Sequence, residues 1–137
     1  MVQVITREWE ITKTYIYEVV SKKRQRDLRW KAFELKAQDN KPVVAVKVDE
    51  PLPLYEIART AFDEIKKNVK GRLSCMFFFV YYKKGRGVDW DDVGELNSHL
   101  YDIIRKEKGP EAFYVGAKES DTITNYLSIA IYAFEKI

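Results

Sequence analysis

The sequence predicts an α+β domain: a mainly antiparallel sheet with two helices, in the order βββαβαββ. Three observations carry this expectation. Several runs are rich in β-branched and aromatic residues, the composition of strands. Two windows place apolar residues at helical spacing and carry start and stop signals. An eight-residue apolar run, Cys75 to Tyr82, is flanked by polar residues and reads as a strand covered on both faces.

The elements follow in order. Residues 8–20 include Trp9, Ile11, Tyr15, Ile16, Tyr17, Val19 and Val20, and read as a strand or a bent pair of strands. Residues 21–27 form a polar, basic turn. Residues 28–37 make a second strand, with Lys31, Phe33 and Leu35 on one side and Trp30, Ala32 and Glu34 on the other. Asp39, Asn40, Lys41 and Pro42 turn the chain into a third strand over 42–48, so the first 48 residues predict an antiparallel meander.

Pro51 and Pro53 punctuate the chain before a helix over 54–70, whose stripe is Leu54, Ala58, Ala61, Ile65 and Val69. Lys66, Lys67 and Lys70 suit its C-terminus, and Gly71 occupies the position of a terminating glycine. After the strand over 72–83, Asp89 is a natural N-cap. A second helix runs to residue 108, with Trp90, Val93, Leu96, Leu100 and Ile103 along one face, and Gly109-Pro110 ends it. Residues 112–118 form a short strand. In the last segment Ile123, Leu127, Ile129, Ile131 and Ala133 alternate with polar or small residues. Ile123, Leu127, Ala130, Phe134 and Ile137 fit a helix equally well. The β-branched content and the Glu119-Ser120-Asp121 turn favour a hairpin strand.

The chain has 137 residues, about one domain's worth, with 46% hydrophobic and 33% charged residues. That mix excludes disordered, fibrous and disulfide-scaffold classes. The single cysteine, Cys75, lies in an apolar run, where a thiol acts as a small hydrophobe. It favours a reducing compartment. The longest apolar run is far shorter than the ~20 residues of a membrane helix, and the N-terminus has no apolar leader. A cytoplasmic protein is expected. Abundant Lys and Glu with few Gln, Asn and Cys suggest a thermophilic source, an archaeon or one of its viruses.

The net charge of +3 conceals a strong asymmetry. Residues 22–31 hold Lys22, Lys23, Arg24, Arg26, Arg29 and Lys31 against Asp27, a net +5. Residues 66–86 hold Lys66, Lys67, Lys70, Arg72, Lys83, Lys84 and Arg86 with no acid, a net +7, which leaves −9 for the rest. Five acids (Asp89, Asp91, Asp92, Glu95, Asp102) fall in 89–102 without one Lys or Arg. Clustered cations concentrate anions around them.

Aromatic residues interleave with the cations: Trp30 between Arg29 and Lys31, and Tyr81-Tyr82 before Lys83-Lys84. Cations that follow phosphates, beside rings on which bases stack, suit a binder of single-stranded DNA or RNA. The expected contacts are Lys22, Lys23, Arg24, Arg26, Arg29, Lys31, Lys83, Lys84 and Arg86 on phosphates, with Trp30, Tyr81 and Tyr82 stacking. The competing explanation is that the rings are sheet core and the lysines a solvated rim. A second reading is a protein-interaction or structural module, in which the acidic helix 89–102 meets a basic segment of another copy, or an acidic host or viral protein binds the basic segments.

A third reading is a metal-dependent nuclease. Asp27 followed by Glu34-Leu35-Lys36 echoes a D…(D/E)xK pattern, in which carboxylates converge on Mg²⁺ and a lysine sits near the attacking water. Both acids fall on one turn and strand here, and Asp39, Asp49 or Glu50 would have to supply another ligand. Residues 83–87 sit where a phosphate loop would, but lack the GxxxxGK[ST] spacing and precede acids that repel phosphate. The lone His99 cannot form a histidine pair and reads as a boundary residue of the second helix. No catalytic residue, cofactor or metal ligand is assigned.

Overall fold

The computed structural model describes residues 1–22, 40–107 and 109–136. Its elements are β1 (Val2–Ile5), α1 (Glu8–Lys22), β2 (Asn40–Val48), α2 (Leu54–Asn68), β3 (Cys75–Lys83), α3 (Trp90–Lys106), β4 (Ala112–Ser120) and β5 (Leu127–Lys136). The strands form one sheet in the order β1-β2-β5-β3-β4. Every neighbouring pair is antiparallel except β3 and β4, which run parallel and are joined through α3. The chain is therefore an α+β fold with a mainly antiparallel sheet.

Five details correct the sequence expectation. Residues 8–20 form helix α1, not strands, so the described residues hold three helices. Ile11 and Tyr15, four residues apart, share one buried face, and Glu8 and Glu10 suit the positive N-terminus. Tyr15 packs edge-on against Tyr132 and Phe134 at 5.5 and 5.1 Å. Tertiary packing outweighs the strand propensity of the β-branched residues. Consequently the N-terminal meander is absent: β1 pairs with β2 across an intervening helix. The strand expected over 28–37 lies outside the described residues.

The last segment is a strand, but it does not form a hairpin with β4. β5 inserts between β2 and β3, antiparallel to both. Nor does Gly71 close α2: the helix ends at Asn68 and Val69 is already extended, at φ −114°. Asp89 does cap α3, its Oδ1 accepting the Asp92 N–H at 3.1 Å. The α3 stripe that reaches the core is Val93, Leu96, Leu100 and Ile104, while Trp90 stays exposed.

β3 explains the double-sided apolar run. Met76, Phe78, Val80 and Tyr82 face one core, with Leu54, Ile57, Ala61 and Ile65 of α2 and Val93, Leu96 and Leu100 of α3. Cys75, Phe77, Phe79 and Tyr81 face the other, with Ile11 and Tyr15 of α1. Each fully buried Phe contributes about 2–3 kcal/mol relative to exposure. Among the described residues, no helix is long and apolar enough to cross a membrane.

Candidate functional site

The register brings one end of the sheet to a common edge. β2 ends at Val48 opposite Ile129, β3 ends at Lys83 opposite Ser120, and β5 begins at Leu127 opposite Tyr82. α2 and α3 both start at this end. Three connections meet here: 49–53, 84–89 and 121–126.

The 84–89 connection is shaped by two glycines in the left-handed region, Gly85 at φ 94° and Gly87 at φ 76°. The Arg86 N–H closes a turn on the Lys83 carbonyl at 3.2 Å, and the Lys84 N–H bonds the Ser120 carbonyl at 3.0 Å. The Gly87 N–H donates to Glu119 Oε1 at 2.6 Å. A carboxylate thus holds the amide that a phosphate would need. The loop is not a phosphate cradle, as its spacing implied.

Lys83, Lys84 and Arg86 are all exposed. None forms an ion pair among the described residues. The Arg86 guanidinium carbon lies 4.0 Å from the centroid of the Tyr126 ring, a cation–π contact. Tyr126 is 63% exposed, and its carbonyl accepts the Lys83 N–H at 2.9 Å. The ring is therefore tied to the same strand end as the cations. Asp49 fixes the preceding residues: its carboxylate accepts the Thr124 N–H at 2.8 Å, the Asn125 N–H at 3.0 Å and Asn125 Nδ2 at 2.9 Å. Burial works to raise the Asp49 pKa, but the donated hydrogen bonds together hold it below the ordinary carboxylate value.

Between these loops lies a cleft of about 490 Å³, lined in part by Glu50, Tyr82, Arg86, Asp89, Asp92 and Tyr126. The Tyr82 hydroxyl reaches Asp92 Oδ2 at 3.3 Å and the Asp89 carbonyl at 3.2 Å. Burial, and then the charges of Asp92 and Asp89, push the Tyr82 pKa up. Burial and the neighbouring Asp89 charge also raise the Asp92 pKa.

The expected stacking pair is placed differently. Tyr81 and Tyr82 are 7% and 6% exposed and point into opposite cores. Alternation along β3 makes this unavoidable, and neither ring presents an open face to a base. Tyr81 meets Lys118 Nζ at 5.5 Å instead. Exposed rings at this end include Tyr126 and Trp90, the latter 60% exposed. Sequence reading missed both. Trp90 carried one signal, its position between Asp89 and Asp91 in a first helical turn, whereas Tyr126 carried none before the loop was seen.

Lys22 closes α1. Lys23, Arg24, Arg26, Arg29, Trp30 and Lys31 lie outside the described residues, as do Asp27, Glu34, Lys36 and Asp39 of the nuclease pattern. Among the described residues, no group of three or more His, Cys, Asp and Glu could hold a metal ion. Asp49 is committed to the 121–126 loop. Cys75 is a buried thiol whose sulfur lies 3.9 Å from the Ser74 hydroxyl, and His99 is exposed with its ring 4.8 Å from that of Tyr55.

The cations of 66–72 stand at the far end of β3 from 83–86. Lys66 pairs with Glu107 at 2.8 Å, Lys67 with Glu64 at 3.2 Å and Arg72 with Glu111 at 3.8 Å. No protein-family model matches the chain, and neither a curated protein nor a solved structure matches it.

Proposed function

We propose that this protein is a small, non-enzymatic binder of single-stranded nucleic acid, working through the end of the sheet where β3 finishes. One observation carries the reading: three exposed cations, without ion-pair partners among the described residues, share a strand end with an exposed tyrosine that one of them, Arg86, already contacts. Lys83, Lys84 and Arg86 would meet phosphates. Tyr126 and Trp90 supply the ring faces that Tyr81 and Tyr82 do not. The segment 22–31 would extend the same electrostatic attraction. A cytoplasmic location belongs to this reading and rests on the lone cysteine Cys75.

The test is fluorescence anisotropy with labelled single strands of about 12 nucleotides, since OB-type sites span roughly 4–16. Micromolar or tighter binding is expected at about 50 mM salt, with a log–log salt slope of about −2 from three single-strand phosphate contacts. Failure to bind any oligonucleotide under these conditions refutes it.

One observation favours a second reading, a protein-interaction module. Trp90 and Tyr101 are 60% and 63% exposed on the acidic helix α3. That combination suits a cationic segment of another copy. Salt-sensitive self-association in light scattering, without oligonucleotide binding, would select it.

A further inference from the structure

We propose that the cleft between the 84–89 and 121–126 loops seats one unpaired guanine base. The inference rests on the nucleic-acid reading and names what that site recognises. At about 490 Å³ the cleft falls within the roughly 300–1,000 Å³ of small-ligand pockets. The Arg86 guanidinium and the Tyr126 ring both line it and lie 4.0 Å apart. Bases stack on tyrosine rings and on arginine planes alike.

The polar lining then selects the base. Apart from Arg86 and the hydroxyls of Tyr82 and Tyr126, its polar side chains are the carboxylates of Glu50, Asp89 and Asp92, and Glu50 is paired with the N-terminal ammonium. Asp89 Oδ1 is committed to the Asp92 N–H, and Asp92 Oδ2 to the Tyr82 hydroxyl. Asp89 Oδ2 and Asp92 Oδ1 remain as acceptors with no donor among the described residues. A lining of acceptors demands a donor-rich edge. Guanine alone presents two adjacent donors, N1–H and N2–H₂, with no acceptor between them. Adenine, cytosine and uracil or thymine each set at least one acceptor against the carboxylate, a repulsive contact. A cationic ligand suits the site less, because Arg86 already lies over the Tyr126 ring. Lys83 and Lys84, exposed on the adjoining strand end and loop, would serve phosphates of neighbouring nucleotides.

The experiment compares labelled thymidine strands of about 12 nucleotides carrying one central dG, dI, dA or dC. Inosine removes only the N2 amino group. Losing one hydrogen bond to a carboxylate should weaken binding by about tenfold. In Asp92→Asn the dG-to-dI ratio should fall towards one, while Glu95→Gln, an acid outside the cleft, should leave it unchanged. Circular dichroism checks that each variant is folded. If Asp92→Asn is not, the exposed Tyr126→Ala replaces it and should weaken dG binding more than dA binding. Equal, salt-sensitive binding of all four strands overturns the guanine seat and leaves the nucleic-acid reading standing. So does a dG preference that survives Asp92→Asn, or a Tyr126→Ala loss that is the same for every base. Binding of none of the strands overturns the nucleic-acid reading itself.

Discussion

Asp49→Ala should destabilise the fold and loosen the tyrosine at the proposed site. The Asp49 carboxylate receives three N–H donors, from Thr124, Asn125 and the Asn125 side chain. Hydrogen bonds to a charged acceptor contribute about 1.5–3 kcal/mol each when protected from water. This carboxylate is only half-buried, and water can replace part of what is lost, so the sum is discounted to about 2 kcal/mol. At this chain length a kcal/mol moves Tm by about 3–4 °C, which gives a fall of about 6–8 °C. The pH dependence has a definite sign. The folded Asp49 pKa lies below the ordinary 3.8, so its stabilisation is fully present above the unfolded pKa. It is lost as pH falls from there through the folded value. Calorimetry of wild type and Asp49→Ala should therefore show a constant Tm gap from neutral pH to about pH 5, closing below it. Hydrogen exchange at the Thr124 and Asn125 amides should accelerate in the variant. A gap below about 2 °C at pH 7, or one that persists unchanged at pH 3, would refute the reasoning.

Three further outcomes follow from the same contacts. Asp89→Ala removes the α3 cap and should cost about 1 kcal/mol, read as a fall of about 3–4 °C in thermal denaturation by circular dichroism. Phe78→Ala empties the centre of the larger core and should cost about 3–5 kcal/mol, a large share of a typical domain's stability, visible as a sharply lowered urea midpoint. Lys83→Gln with Lys84→Gln should reduce the salt slope of oligonucleotide binding by about 1.4, at about 0.7 per phosphate contact. Lys66→Gln with Lys67→Gln, at the opposite end, should leave that slope unchanged.

What the sequence made legible follows from which forces act locally. α2, α3 and β3 could be read because burial imposes a period: four-residue spacing beneath α2 and α3, and apolar residues at every position of a strand covered on both faces. Asp89 could be read because a cap is a contact between residues three apart. α1 could not. Its two described core residues, Ile11 and Tyr15, gain their helical meaning only from Tyr132 and Phe134, far away in the chain. The neighbours of β5 were equally hidden, because strand alternation predicts a face and not a partner. The same limit governed the candidate site. Lys83, Lys84 and Arg86 are exposed, as a basic loop after a buried strand suggests. Tyr81 and Tyr82 were chosen for adjacency to those cations, although alternation in a strand covered on both faces sends both rings into core.

The charge pattern shows why distance along the chain misleads about electrostatics. The seven cations of 66–86 look like one basic surface, but nine residues of β3 divide them, a separation of about 30 Å at 3.3 Å per residue. That exceeds the screening length of about 8 Å at physiological salt, so the two groups act independently. The 66–72 group stands among acids: Glu107 takes both Arg59 and Lys66, whose proximity holds its pKa below the ordinary value. Such exposed pairs add little stability, yet they cancel charge towards an approaching polyanion. The 83–86 group has no such partners among the described residues, and the contact of Arg86 with Tyr126 leaves the guanidinium charge intact. A polyanion approaching the described surface therefore meets three exposed cations where three connections, an exposed ring and a cleft lined by carboxylates coincide. The acids behind them in that cleft would repel its phosphates but accept hydrogen bonds from its bases.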